Sequence, residues 1–358
     1  MNQPLRVAVV GCGIGKEHAA AYNRLPERFE LLAICDLDAA KARELAAAYA
    51  VPRVVTDLAE LCAMDDLDVI DICTPPHLHF GQVQQVLAAG KYAICEKPLV
   101  SSVAEVDQLI TAEAASGRRV MPIFQYRFGH GLQKLKLLIE QGLAGQAYLA
   151  TVEVAWRRRA EYYAVPWRGA WRTERGGALL GHAIHATDML TYILGPVKSV
   201  FARTATRVNA IEVEDCAAVS FEMADGALAT LGVTLGSSAE ITRHRFSFGG
   251  FSAESNTRPY TSSGDPWIFT GDTPDNAARI EAALARFTPL PEVFDGQFYR
   301  FYDALRDSTE LPVTLVDARI SLELITAMYA SARTGQAVAL PLTPAHPGYT
   351  GWVPDEYR

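Results

Sequence analysis

The sequence predicts an α/β protein. Its first third is a Rossmann-like, doubly wound parallel sheet, and the remainder is an α/β domain with a large open, mostly antiparallel sheet. Three observations support this class. The first third alternates short apolar strands with amphipathic helical segments. A glycine-rich turn joins the first strand to the first helix. After residue 146 the longer runs alternate apolar and polar residues in the manner of half-buried strands.

The chain has 358 residues, which is more than one ordinary core accommodates, so we expect two domains, residues 1–124 and 125–358. The 33 basic and 41 acidic residues give a formal net charge of −8, and no basic stripe is present, so a nucleic-acid partner is not expected. No apolar run approaches the roughly 20 residues of a membrane helix. The 6 cysteines include no CxxC pair. We expect them to be reduced and buried in a cytoplasmic protein, without bound metal.

The first predicted strand, residues 6–10, ends at a Gly-x-Gly-x-Gly turn formed by Gly11, Gly13 and Gly15. A segment that can be helical follows at once. This order provides a tight turn, close backbone approach and the free N–H groups of a helix N-terminus, which together suit a dinucleotide pyrophosphate. Ile14 stands alone between the last two glycines, so the turn is one residue shorter than the usual form. All four residues are predicted to bind the cofactor.

An acid follows the second predicted strand, residues 31–35, at the position of Asp36. A carboxylate there is placed to accept hydrogen bonds from the adenosine ribose hydroxyls. It also repels a 2′-phosphate, so NAD is favoured over NADP. Lys41 and Arg43 are close in sequence, but they fall inside the next predicted helix.

The carboxyl ends of the later strands carry further polar residues, and ligands of doubly wound sheets bind at that edge. Thr74 and Pro75 follow the fourth strand, and Glu96 and Lys97 follow the fifth. We expect all four, with His79, to line the cofactor site. The remaining predicted strands are 54–55, 69–73, 92–95 and 120–124, and the helices between them are 39–49, 80–89 and 103–115.

Lys97 is a candidate general acid/base. Oxidation of an alcohol by a nicotinamide removes a proton from oxygen, so the reaction needs a positioned proton acceptor and positive charge near the developing alkoxide. A lysine at a strand's carboxyl end supplies both if burial lowers its pKa. The alternative is a surface lysine that pairs with Glu96.

The second domain is predicted to contain the antiparallel sheet, with a helix over 132–141 before it. Residues 252–275 are polar and rich in Gly, Pro, Ser and Thr, which predicts loops or an insertion. The tail from 341 to 358 is predicted to be an extended strap. The predicted strands are 147–156, 197–208, 215–223, 227–235 and 241–248, and two late helices are 296–306 and 317–334.

Three polar residues are spaced by three in an apolar, helix-like segment: His182, His185 and Asp188. On one helix they share a face, where they can serve proton transfer or bind a metal. No third ligand from elsewhere is evident, so metal binding is not expected. The alternative for each histidine is a hydrogen-bonded structural residue, and Asp188 either orients His185 or holds substrate.

Aromatic rings and arginines interleave over residues 156–172, which suits a carbohydrate because rings cover apolar sugar faces and guanidinium groups donate to hydroxyls or carboxylates. Tyr163, Trp167 and Arg168 are the predicted substrate-binding residues of this segment. The alternative for the segment 156–172 is a rim loop that packs on a neighbouring subunit. Tyr126 and Arg127, at the predicted domain junction, are also assigned a substrate-binding role.

Together these motifs resemble the Gfo/Idh/MocA family of sugar and polyol dehydrogenases over nearly the whole chain. The resemblance implies that Lys97 and His185 are catalytic. In the family an aspartate often stands four residues before this histidine, where the present chain has Gly181. Either His182 takes the role of that acid, or Lys97 and His185 form the relay alone, or activity is absent. The motifs are the glycine turn with His18, 74–79 after the fourth strand, 96–98 after the fifth, 126–127, Gly176 and Gly177 before His185 and Asp188, and the closing 331–335 with 340–341.

The resemblance implies an NAD(P)-dependent oxidoreductase that transfers a hydride between nicotinamide and a sugar, polyol or sugar acid. It also implies a homodimer or homotetramer built by pairing of second-domain sheets, while His18 and His79 match positions that look mainly structural. Two alternatives remain. One is a catalytically silent, nucleotide-sensing regulator, which Gly181 favours and Lys97 with His185 opposes. The other is an NAD-dependent glycosidase on the same scaffold.

Overall fold

A computed structural model describes residues 3–357 of the chain, which form two compact units. The first unit comprises residues 3–125 and 293–319, and the second comprises 126–292 and 320–357. The division expected from the sequence, at residue 124, does not include the return of 293–319 to the first unit.

The first unit contains a parallel sheet of six strands in the order β3-β2-β1-β4-β5-β6. This order reverses at β1 and is that of dinucleotide-binding folds, with the ligand crevice at the reversal. The predicted parallel sheet is confirmed. Its strands are β1 (Leu5–Val10), β2 (Phe29–Cys35), β3 (Arg53–Val55), β4 (Val69–Ile72), β5 (Tyr92–Cys95) and β6 (Val120–Pro122).

Helices connect these strands, and several begin at a side-chain cap. Asp38 accepts hydrogen bonds from the first turn of α2, and Ser102 does the same for α5, which ends at Gly117 in the left-handed region. The helices are α1 (Gly15–Asn23), α2 (Ala39–Ala48), α3 (Leu58–Cys62), α4 (Pro76–Ala88) and α5 (Val103–Ser116).

The returning segment of the first unit contains helix α12 (Val293–Asp307), which packs on α1 through stacked rings. The ring centroids of Tyr22 and Phe298 lie 4.4 Å apart at an interplanar angle of 6°. The buried amide of Gln297 donates to the carbonyl of Pro122 at 2.7 Å and accepts from the N–H of Phe124 at 3.1 Å. These contacts explain why a segment so late in the chain belongs to the first core.

The second unit contains a sheet of eight strands in the order β13-β12-β11-β7-β10-β9-β8-β14. Within this sheet, among the described residues, only the pairing of β10 with β7 is parallel, so the predicted mostly antiparallel sheet is confirmed. Its strands are β7 (Ala147–Arg157), β8 (Val197–Ala205), β9 (Cys216–Met223), β10 (Leu228–Thr234), β11 (Gly236–Phe248), β12 (Phe251–Glu254), β13 (Ile268–Gly271) and β14 (Val338–Ala339).

The prediction of loops or an insertion over 252–275 is wrong in part, because the segment contains most of β12, all of β13 and the start of a helix. In β12, Phe251 and Ala253 are buried whereas Ser252 and Glu254 are not, so only two apolar residues mark the inner face of this edge strand. So short a pattern does not stand out in a segment rich in polar residues. The other helices are α6 (His130–Glu140), α7 (Ala160–Tyr163), α8 (Trp171–Glu174), α9 (Ala178–Gly181), α10 (Ile184–Leu194), α11 (Pro274–Leu284) and α13 (Leu315–Thr334), and 3₁₀ turns cover Gln125–Phe128 and Asp355–Tyr357.

The predicted extended strap at the end of the chain is also wrong, because the segment folds into successive hydrogen-bonded turns. Glycine and proline spaced through the tail favour such turns. Trp352 anchors it: the side chain is fully buried and its indole N–H donates to the carbonyl of Arg175 at 2.6 Å. None of the helices in the described part of the chain is both long and apolar enough to cross a bilayer.

Candidate functional site

The glycine turn of the first unit has a different packing requirement at each glycine. Gly11 has φ +97°, and a Cβ there would lie 2.7 Å from the carbonyl oxygen of Cys73. A Cβ on Gly15 would lie 2.8 Å from the Val9 side chain, so this glycine lets α1 pack on β1. A Cβ on Gly13 would meet nothing within 4 Å, so backbone is exposed to open space there. Ile14 precedes the first residue of α1 and is 41% exposed.

Asp36 lies where β2 ends and is joined to the glycine turn. One carboxylate oxygen accepts a hydrogen bond from the N–H of Cys12 at 2.8 Å, and the other accepts from the N–H of Asp38 at 2.9 Å. The N–H of Gly11 in turn donates to the carbonyl of Cys35 at 2.7 Å. The acid and the turn are therefore held as one unit, with Asp36 only half-buried.

The segment after β5 is fixed from two sides. Glu96 is 5% exposed and accepts a hydrogen bond from the N–H of Lys97 at 2.9 Å, whereas Lys97 is half-buried and precedes a cis peptide bond to Pro98. The carbonyl of Pro98 faces Nδ1 of His79 at 2.9 Å, and Nε2 of the same ring faces the carbonyl of Thr74 at 2.7 Å.

His79 is fully buried, and burial lowers its pKa despite the neighbouring carbonyls. The ring therefore lies between the turn after β4 and the turn after β5, and it is placed to hold both. Pro75, which completes the first of these turns, is the residue before α4. Thr74 uses its hydroxyl to donate to the Gln82 side chain at 2.5 Å.

A buried polar network lies beneath this edge of the sheet. His18 on α1 is fully buried, with Nδ1 2.8 Å from an Asp71 oxygen and Nε2 3.1 Å from a Glu96 oxygen. The hydroxyl of Tyr22 donates to Asp71 at 2.8 Å. Burial alone lowers the pKa of His18, but the Asp71 carboxylate and the other acceptors outweigh burial and hold it well above the usual range. The imidazolium thus links α1 to Glu96, the residue before Lys97.

His18, Asp71 and Cys73 also place three metal-ligand atoms within 4.8 Å of one another. Cys73 and His18 are 3.3 Å apart, and burial raises the pKa of the Cys73 thiol. A metal binds the thiolate and the neutral imidazole, so Cys73 and His18 would both have to lose a proton to ligate one, and the His18 ring is already hydrogen-bonded to Asp71 and Glu96. The absence of a metal site remains a prediction.

In the second unit the expected single helix face with His182, His185 and Asp188 is wrong. Helix α9 ends at Gly181, His182 has φ −120° and ψ −49°, and α10 begins at Ile184. The break separates His182 from the other two. Gly177 and Gly181 around the short α9 favour such an interruption, because glycine lowers helix propensity.

His185 and Asp188, both buried on α10, have defined partners from the segment after β6. The rings of His185 and Tyr126 are stacked, with centroids 4.5 Å apart. Arg127 and Asp188 form a bidentate ion pair, with donor–acceptor distances of 2.8 and 2.6 Å, and their side chains are 6% and 1% exposed. Tyr126 thus lies against the predicted catalytic histidine, whereas Asp188 pairs with Arg127.

Sequence reasoning missed Glu174, the last residue of α8. Its side chain reaches the place that a side chain at position 181 would occupy, because a Cβ built on Gly181 lies 4.0 Å from Glu174 Oε1. Glu174 is buried, accepts a hydrogen bond from the N–H of Gly169 at 2.5 Å and lies 3.8 Å from the Arg168 guanidinium. A carboxylate is therefore present where the family's aspartate is missing.

Two of the predicted substrate residues, Tyr163 and Arg168, line a cavity of about 430 Å³. Trp167 packs against Arg168: its ring centroid lies 4.4 Å from the guanidinium carbon. Burial lowers the pKa of Arg168, and burial raises that of Tyr163. The structure thus places Tyr163 and Arg168 on one cavity and the Trp167 ring against Arg168.

Glu214 holds the start of α9. Its carboxylate accepts from the N–H of Gly177 at 3.1 Å, from the N–H of Leu179 at 2.9 Å and from the hydroxyl of Tyr329. Burial raises the pKa of Glu214 to about 7, although these hydrogen bonds favour the charged form. A Cβ on Gly177 would lie 1.8 Å from the Glu214 carbonyl oxygen, so only glycine fits.

Both units match models of one protein family. Residues 5–124 match the model described as oxidoreductase family, NAD-binding Rossmann fold, and 132–250 match the GFO/IDH/MocA C-terminal domain. The WlbA dehydrogenase from Bordetella pertussis, solved with NADH and UDP-GlcNAcA, is 30% identical, with a TM-score of 0.83 over 95% of this chain and 100% of that one.

Two further proteins extend the comparison. D-glucoside 3-dehydrogenase from Escherichia coli is 26% identical over 95% of this chain and 98% of its own length. Levoglucosan dehydrogenase, solved with NADH and levoglucosan, is 22% identical with a TM-score of 0.80 over 95% of this chain and all of its own, a likeness of fold alone.

Proposed function

This chain belongs to the Gfo/Idh/MocA family of NAD-dependent oxidoreductases, and from that premise we propose that it transfers a hydride between the cofactor and a carbon–hydroxyl group of a sugar, polyol or sugar acid. The observation that carries the proposal is Lys97, held after β5 at the carboxyl edge of a NAD-binding Rossmann sheet. Ligands of such sheets bind at that edge.

The residues of the first unit fit the cofactor. Open space beside Gly13 leaves room for a pyrophosphate against backbone, and the N-terminus of α1, which has no side-chain cap, favours an anion. Asp36 would accept hydrogen bonds from the ribose hydroxyls, which favours NAD over NADP. When bound, the nicotinamide supplies the hydride acceptor or donor.

We assign Lys97 Nζ the proton transfer. A primary amine in a half-buried position takes the hydroxyl proton as the alcohol carbon is oxidised and returns it in the reverse reaction. Its positive charge in the protonated state stabilises the alkoxide. Glu96, bound to both His18 and the Lys97 N–H, keeps this lysine in register with the sheet edge.

We assign His185 a hydroxyl-binding or proton-relay role, with Tyr126 fixing the plane of its ring. Glu174 supplies the carboxylate that Gly181 lacks, so a silent regulator is no longer the simplest interpretation of that glycine. The proposed substrate contacts of the second unit remain Tyr163, Trp167 and Arg168. In the first unit, His79 and Glu96 are buried and hold the turns that carry the proposed cofactor site.

Incubation of the purified protein with NAD and a panel of sugars, polyols and glycosides tests the proposal. Net formation of NADH that disappears in Lys97→Ala, with NAD affinity retained, supports a dehydrogenase. Release of aglycone without net NADH identifies the glycosidase instead. Tight NAD binding without turnover on the whole panel identifies the regulator and overturns the proposal.

Glu174 has its own test. Glu174→Gln is expected to lower kcat by about 10²-fold and to remove the acidic limb of the pH–rate profile, since a positioned carboxylate contributes through proton transfer. The control is Glu140→Gln, an exposed acid at the end of α6 in the same unit. A kcat loss with an unchanged pH profile would make Glu174 structural only.

We also propose a cytoplasmic homodimer or homotetramer. Leu149 on β7 and Leu228 on β10 are adjacent in register, and they are 43% and 55% exposed. Paired exposed leucines on a sheet favour contact with a second copy. Light scattering on the purified protein that gives a monomer mass would contradict this state.

A further inference from the structure

A second cavity of the second unit, shallow and open to solvent, has a volume of about 440 Å³ and lies where β7 ends and α7 begins. Most of its lining lies in the segment 156–172 that suits a carbohydrate, but none of these residues is among those assigned individually to substrate binding or catalysis. Its lining combines arginines with aromatic rings: Arg157, Arg158, Arg159, Glu161, Tyr162 and Tyr260.

The lining carries three arginines against one glutamate, in a chain whose formal net charge is −8. Arg158 is the fixed one: its guanidinium lies 2.8 Å from Glu240 and donates to the Tyr260 hydroxyl at 2.5 Å. Arg157 and Arg159 are exposed, and within residues 3–357 neither guanidinium has an ion-pair partner. Two cations are therefore available to a ligand.

Ring contacts connect this cavity to the histidine segment of the same unit. The ring centroid of His182 lies 5.4 Å from that of Trp156 and 5.7 Å from that of Tyr162. The Arg158 guanidinium carbon lies over both of these aromatic rings, at 5.1 and 5.2 Å from their centroids. A molecule bound at His182 can thus extend into the arginine-lined cavity.

We propose that this cavity binds an anionic group, carboxylate or phosphate, carried by the sugar that the protein oxidises. The inference rests on the proposed function and narrows its substrate class to acidic or phosphate-linked sugars. Guanidinium groups recognise planar and tetrahedral oxyanions through paired donors, and Tyr162 and Tyr260 offer flat surfaces to an attached ring. A neutral polyol makes no use of the two unpaired cations.

Calorimetric titration of the NAD-loaded protein tests this. The probes are glucose, galactose and mannose, each as the free sugar, the uronate, the 1-phosphate and the nucleoside-diphosphate-linked form. We expect at least one anionic form to bind at least about tenfold more tightly than its neutral parent, because charge-assisted hydrogen bonds are stronger than neutral ones. The form that binds identifies whether carboxylate or phosphate is the source.

The variant is Arg157→Gln with Arg159→Gln, and the control is Arg286→Gln, an exposed arginine past the end of α11. The preference should disappear in the double variant and persist in the control. The inference is overturned if no anionic form binds better than its parent, or if the double variant retains the preference. Failure of the proposed function is distinct, since the unmodified protein would then form no NADH from any sugar.

Discussion

Replacement of His18 by asparagine should destabilise the first unit and weaken the support of Lys97. The imidazolium lies between two carboxylates, 2.8 Å from Asp71 and 3.1 Å from Glu96. All three side chains are buried, with Asp71 and His18 fully inaccessible to solvent. Asparagine is shorter and neutral, so it cannot bridge both acids.

The magnitude follows from the carboxylates left behind. Removing one partner of a buried ion pair costs about 3–5 kcal/mol, because the remaining charge keeps its desolvation penalty. Tyr22 still donates to Asp71 at 2.8 Å and softens the loss at that acid. We therefore expect His18→Asn to lower the free energy of unfolding by about 3 kcal/mol.

Urea unfolding followed by far-UV circular dichroism measures this change, and NAD affinity measured beside it reports on the first unit. The control is His77→Asn on α4, because His77 is exposed in the same unit. If the two variants unfold within about 0.5 kcal/mol of each other, the range of ordinary surface substitutions, the reasoning is refuted.

Protonation of His18 gives a second readout of the same network. Its raised pKa means that the linked stability is fully present below the unfolded pKa, about 6.5, and is lost as the pH rises through the folded pKa. Nitrogen NMR of labelled histidines should show His18 still protonated at about pH 7.5, where an unperturbed histidine is neutral. A His18 resonance that titrates near 6.5 contradicts the assignment.

Three further predictions concern other positions. Gly13→Ala should weaken NAD binding without loss of stability, because a Cβ there meets only open space. Gly11→Ala, at φ +97°, should lower the free energy of unfolding by about 1–3 kcal/mol. Titration with NAD and urea unfolding separate the two effects. Stability linked to Glu214 should be present below its usual pKa and lost as the pH rises through about 7, and Glu214→Gln should flatten that part of a melting-temperature profile. Arg127→Met should cost about 3–5 kcal/mol in urea unfolding by removing the guanidinium partner of the buried Asp188 carboxylate, and an unchanged midpoint contradicts this.

The cofactor edge of the first unit could be predicted from the sequence because its signals are local. Gly11, Gly13 and Gly15 stand between a strand and a helix, and Lys97 directly follows a strand. Parallel strands then bring their carboxyl ends to one edge without further information. The parallel sheet and the NAD-binding character are confirmed, while the roles of the individual residues remain proposals.

The acid near position 181 could not be predicted in this way. Glu174 is separated from Gly181 by two glycines and a short helix, so its side-chain direction depends on a backbone path without periodicity. The spacing of His182 and His185 suggested one helix, but the chain breaks at His182. Helical spacing predicts a shared face only where the helix is continuous.

The return of residues 293–319 to the first unit also had no local signal. Helix α12 is amphipathic wherever it packs, and pattern alone does not identify its partner. Its location depends on side chains distant in sequence, such as Phe298 against Tyr22 and Gln297 against the end of β6. Long-range contacts of this kind are specified by shape and hydrogen bonding in the folded core.

Transfer of deuterium from substrate to cofactor tests the central claim most directly. The protein is incubated with NAD and sugars deuterated at carbon, and the mass of the cofactor is measured. We predict reduced cofactor that carries one deuterium, formed by the unmodified protein and absent with Lys97→Ala. Reduced cofactor without deuterium would contradict the proposed hydride transfer, and equal labelling by the Lys97→Ala protein would contradict the role of Lys97.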